Sequence, residues 1–219
     1  MAYKSTICLG VFAALSAAAV THKPIHAQVP APPGAPAAAL YEQGPKERAI
    51  NRYVGSVTWH TEMVSVGQGQ AAELAIKGEA IIPKRRVAMT WVIRRNSDKS
   101  LPASHVIEIM FKLPAKAPHG KVVDVSATHL KQGENTPGTA LSGRGVKVTE
   151  DFFMIGLSAT EAHRVQNDQL LTERPWIDVG FLYENGTRGM MALEKGPTGK
   201  RAFTEAFAAW AKPVAPRLR

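Results

Sequence analysis

Hydrophobic side chains recur at every second position through residues 53–113, a period that places them on one face of an extended chain. Tyr53, Val57, Trp59 and Met63 share a face, as do Leu74, Ile76, Ala80 and Ile82. The same holds for Val87, Met89, Trp91 and Ile93, and for His105, Ile107, Ile109, Phe111 and Leu113. Four such segments predict a sheet with one wet side. Short connections between them leave no room for parallel crossovers, so the sheet is expected to be antiparallel. Turn-forming clusters separate the strands: Gly67-Gln68-Gly69, Pro83-Lys84-Arg85, Asn96-Ser97-Asp98 and the stretch from Pro114 to Gly120. Further strands are expected from Val122 to Leu130, Val146 to Thr149 and Phe152 to Leu157.

Beyond residue 157 the pattern changes. Ser158-Ala159-Thr160-Glu161 has the form of a capping box and predicts a helix from there to about Glu173, stopped ahead of Pro175. Strands from Trp176 to Glu184 and from Thr187 to Leu193 follow, joined by Asn185-Gly186, a pair that accepts positive backbone angles and signals a hairpin. The turn also accounts for Asn185-Gly186-Thr187, which matches a glycosylation acceptor. From Lys200, Phe203, Phe207 and Trp210 fall at i, i+4 and i+7, one stripe of a closing helix. The fold class expected is mainly β: an antiparallel β-sandwich with a short inserted helix and a C-terminal helix.

The N-terminal segment follows another rule. Lys4, an apolar run from Ile7 to Val20 and a small residue at Ala27 are arranged as in a bacterial signal peptide. The run of 14 residues is shorter than the roughly 20 a membrane helix needs. Residues 1–27 therefore read as a leader cut after Ala27, with Ala17 and Ala19 as competing cleavage positions, and the product is expected in the periplasm or outside the cell. Cys8, the sole cysteine, leaves with the leader, so disulfides, thiol catalysis, cysteine-held zinc and a cysteine-linked lipid are not expected. Residues 28–45, with five prolines, read as an extended tether; residues 46–211 as one domain; residues 212–219 as a tail.

Charge narrows the partners. The chain has 27 basic and 18 acidic residues; loss of Lys4 and Lys23 leaves 25 against 18, a net charge of +7. That excess favours acidic glycans or lipids. Candidate anion-binding residues are Lys84, Arg85 and Arg86 in one turn, and Gly199, Lys200 and Arg201 at the expected start of the closing helix. The second group is not a phosphate loop, because Glu194 and Arg201 stand where GxxxxGK[ST] needs glycine and a hydroxyl residue. Solvated turn residues are the competing reading for both. Arg94-Arg95 lie roughly 25 to 30 Å from Lys84-Arg85-Arg86 along their strand and cannot join them. Cations and exposed aromatics are not interleaved, so nucleic acid is not the expected partner.

Catalytic patterns are sparse. His60, His105, His119, His129 and His163 have no pair at ligand spacing, GxSxG does not occur, and Ser158 is accounted for as a cap. No metal or cofactor is expected. His105 lies on the apolar face of its strand and reads as a core or rim histidine; His119, in a Pro-Gly loop, reads as solvated. A hydrolase or metal-dependent enzyme using His60, His105 or His129 with a carboxylate stays open as an alternative. Trp59, Trp91, Trp176, Phe153 and Phe203 read as core.

The stretch FFMIGLSATEAHRVQNDQLLTERPWIDVGFLYENGTRGMMALEKGPTGKRAFTEAFAAW, Phe152 to Trp210, combines strands, a short leucine-bearing helix, a hairpin and a terminal helix. In layout it resembles exported bacterial proteins of the invasion-associated locus B group. The resemblance implies a periplasmic β-rich accessory protein and carries over no catalytic residue. Together these features predict an exported, non-enzymatic module that binds a protein or envelope component, with polyanion binding through the basic turns as a further alternative.

Overall fold

The computed structural model describes residues 34–65, 72–96, 98 and 100–211. The expected leader over residues 1–27, the start of the tether, the Gly67-Gln68-Gly69 turn, Ser97 and the tail at 212–219 lie outside the described residues.

The strands are β1 (Ala37–Gln43), β2 (Asn51–Val64), β3 (Glu73–Ile82), β4 (Val87–Arg95), β5 (Ala103–Lys112), β6 (Val122–Lys131), β7 (Gly138–Ala140), β8 (Gly143–Thr149), β9 (Phe152–Ser158), β10 (Trp176–Tyr183) and β11 (Arg188–Glu194). Helix α1 (Glu161–Glu173) follows β9, and α2 (Gly196–Trp210) follows β11. The described strands form one antiparallel sheet in the order β7-β6-β10-β11-β1-β2-β3-β4-β5-β9-β8. This is the mainly β architecture with an inserted and a closing helix that the pattern predicts. Its two layers belong to a single curled sheet. The corner lies between β7 and β8: the Leu141 amide donates to Thr128 on β6, while the Ser142 carbonyl accepts from Ser158 on β9. Two adjacent residues thus bring the opposite edges of the sheet together. Register shifts in the β10–β6, β5–β9 and β8–β9 ladders supply local bends. Phe111 and Phe181, on strands far apart in the order, meet at 4.7 Å between ring centroids across the interior.

The apolar alternation goes inward as expected except at Met63, which is 63% exposed near the end of β2. Val87, Met89, Trp91 and Ile93 are all buried, as are His105, Ile107, Ile109 and Phe111. Helix α2 plugs one end of the curl. Its Phe203 packs between Trp59 and Trp91, with centroids 5.7 and 6.1 Å away, and the Trp59 Nε1–H donates to the Glu194 carbonyl at 2.8 Å. Burial of a ring of this size contributes about 1.5–3 kcal/mol. Gly78 is required beneath Trp59, since a Cβ there would stand 2.5 Å from the indole. Trp176 is only half-buried, unlike the other aromatics expected in the core.

Three expectations need correction. Residues 37–43 are not tether: they form β1, between β11 and β2 at the centre of the sheet. The last proline before the strand is Pro36, the small side chain of Ala38 fits the closed interior beside Leu40, and two neighbouring ladders override the local composition. Helix α1 begins at Glu161, with Thr160 at its N-cap and no side-chain cap bond. Ser158 is the last residue of β9, and its hydroxyl lies 3.1 Å from His163 Nδ1. Helix α2 begins at Gly196, four residues before Lys200, because Pro197 suits a first helical turn.

Candidate functional site

Glu42 is the only acid on the inward face of β1, two residues beyond Leu40, and its side chain is 2% exposed. Its Oε1 accepts from the Tyr183 hydroxyl at 2.9 Å. Its Oε2 lies 2.9 Å from Arg85 Nη2 and 3.4 Å from His119 Nε2. Burial first, and then the Glu42 carboxylate, push the Tyr183 phenol well above its ordinary value, so it remains a donor. His119 packs on the Tyr183 ring at 5.3 Å between centroids. Its Nδ1 is 3.1 Å from the Asn185 amide nitrogen, which can only donate. Nδ1 is then the acceptor, and Nε2 carries the proton that faces Glu42. Arg85 also stacks over Tyr53 at 5.1 Å. His119 is therefore not the solvated residue its loop suggests, and Arg85 is committed to an internal carboxylate.

One buried acid thereby ties together β1, the 83–86 turn, the 113–121 loop and β10. The consequence is electrostatic. Strand direction puts the connections 44–50, 83–86, 113–121, 150–151 and 184–187 at the same end of the sheet. They hold seven basic residues (Lys46, Arg48, Lys84, Arg85, Arg86, Lys116 and Lys121) against four acids. Those acids are engaged within the end itself. Glu47 accepts from the Gly44 amide, Glu184 from the Lys121 amide and Asp151 from the Val122 amide, while Glu150 pairs with Lys121 at 2.6 Å. Lys112, Lys147 and Arg188 add exposed cations at the adjoining strand ends. At the other end, the described residues of 96–102, 159–175 and 195–211 hold five basic and five acidic residues, while Glu134 of the 132–137 connection reaches back to pair with Arg52 at the start of β2, 2.6 Å away. Among the described residues, positive charge is concentrated toward one end.

The second group of sequence-derived anion candidates is placed differently. Gly199 lies inside α2, its amide donates to the Lys195 carbonyl at 2.8 Å, and it is buried against Trp59. It offers no amide to an anion, which removes it from the candidate set. Lys200 and Arg201 line an open surface depression with Pro197, Thr204 and Glu205, whose carboxylate shares the same ground. Arg94 pairs with Glu108 and Arg95 with Glu73, at the end opposite the 83–86 turn.

The candidate catalytic histidines do not meet. His105 faces inward, while His60 and His129 lie on outward positions of β2 and β6, with three strands and roughly 19 Å of sheet between them. His105 is a buried core residue, as expected. Burial, followed by Arg95 and Arg164, lowers its pKa to about 4. Ser104 Oγ at 3.3 Å and Asp168 Oδ1 at 3.9 Å both approach its Nδ1. A serine–histidine–acid relay needs opposite ring nitrogens, so no proton path runs through this ring. Among the described residues, no group of three or more His, Cys, Asp or Glu is placed to hold a metal ion.

No family model, curated protein or solved structure matches the chain.

Proposed function

We propose that this protein is an exported, non-enzymatic β-rich module that binds an acidic component of the cell envelope through its cationic end. The observation that carries this reading is the gathering of the basic loops around the Glu42 network while their local acids are spent on backbone amides and Lys121. Lys84 and Arg86 flank Arg85 and remain exposed once Arg85 has turned inward. The leader-like pattern over residues 1–27 supports an envelope location. No helix among the described residues is long and apolar enough to cross a membrane.

The test is retention on immobilised heparin, a generic polyanion, as salt rises. Retention should fall steeply with ionic strength, because such contacts are screened over about 10 Å at 0.1 M salt. Lys84→Glu with Arg86→Glu should release the protein at far lower salt, whereas Lys200→Glu with Arg201→Glu, at the opposite end, should change little. Equal weakening by both pairs would show that net charge alone is read, and the assignment to this end would fall.

A further inference from the structure

We infer that the cationic end docks end-on against an anionic lipid surface, with exposed apolar side chains at its rim entering the acyl boundary. This rests on the reading above and names its ligand. Ile50, at the end of the 44–50 connection, is 61% exposed and follows Lys46 and Arg48 in the same loop. The loop is tied down: the Glu47 amide donates to the Gly44 carbonyl, the Gln43 side chain donates to the Glu47 carbonyl, and Pro45 lies against Gly186. Ile50 is thus held outward by a fixed turn.

Across the rim, Met110 near the end of β5 and Val148 near the end of β8 are also exposed. Phe152 pairs directly with Met110 in the ladder, and Val146 with Met154, so these outward side chains form a continuous apolar strip. Exposed Lys112, two residues from Met110 on the same face of β5, borders it. Cations in the middle and apolar groups on both sides match an interface in which phosphate headgroups lie beside hydrocarbon. A carbohydrate polyanion satisfies the cations but has no place for isoleucine, methionine and valine. The lipid surface is the ligand that uses both features.

Co-sedimentation with vesicles tests this, using phosphatidylcholine alone and phosphatidylcholine with about a third phosphatidylglycerol. Binding is expected only to the anionic vesicles, and should be weakened by salt. Ile50→Ser with Val148→Ser should lower vesicle affinity about tenfold or more, with heparin retention and thermal unfolding unchanged. Vesicle binding that ignores this double variant overturns the apolar contact and with it the inference. Heparin retention without binding to anionic vesicles also overturns the inference and leaves the polyanion reading standing. Failure on both heparin and anionic vesicles removes both readings.

Discussion

The cost of the polar network is concentrated in single atoms. Glu42 keeps its charge out of water only because Arg85, Tyr183 and His119 surround it. Tyr183→Phe removes one donor to a charged acceptor and should destabilise the fold by about 1–3 kcal/mol in urea unfolding. Glu42→Gln should cost a comparable or larger amount and also free the 83–86 turn, so heparin retention and stability should fall together. Lys195 presents the opposite problem. Its ammonium points at the Leu171 carbonyl and stands 3.9 Å over the Phe203 ring, and burial lowers its pKa from 10.5 to about 7. Between those two values the unfolded chain holds a proton that the folded chain does not. Stability should therefore climb as pH rises from about 7 toward 10, by up to about 1.4 kcal/mol per unit. Lys195→Met should be more stable at pH 7 and show a flatter climb; identical pH profiles for the two proteins would contradict the assignment.

Elements that depend on their own residues are legible in the sequence, and those that depend on neighbours are not. The alternation along β2 to β5 is set by which side chains go inward, and the Asn185-Gly186 hairpin by a backbone angle, with Gly186 at φ 81°. β1 is hidden because proline and alanine lower its local preference; its strand character comes from β11 and β2, the former about 150 residues away. A faint signal does exist: Ala38, Leu40 and Glu42 alternate, with a carboxylate on the apolar side. The Glu42 network has no sequence signature, because four separate segments must fold before its members meet. Leu40 separates the two descriptions of residues 37–43. It is fully buried, so Leu40→Ala should cost about 2–5 kcal/mol, an effect that a tether residue would not produce.

At the scale of the whole molecule, the curl gathers the cations of five connections at one end. Had the same connections alternated between ends, the net charge would be spread over the surface with little local field. Concentrating them sets like charges against one another. Lys46, Arg48, Lys84, Arg86 and Lys116 share one end, and among the described residues none of the five forms an ion pair with a carboxylate. Salt screens that repulsion within about 10 Å at 0.1 M, and it also weakens exposed pairs such as Arg164–Glu161, which water already screens. Repulsion among the uncompensated cations outweighs the attraction lost from such pairs, so raising sodium chloride from low to physiological strength should raise the melting temperature. Lys84→Glu with Arg86→Glu, which replaces two of these cations with anions, should melt higher than the native chain at low salt and gain less from added salt. The same two residues are the ones whose replacement should weaken polyanion retention. A variant that retains less heparin without becoming more stable at low salt would separate recognition from repulsion and show that the basic loops are not crowded enough to strain the fold.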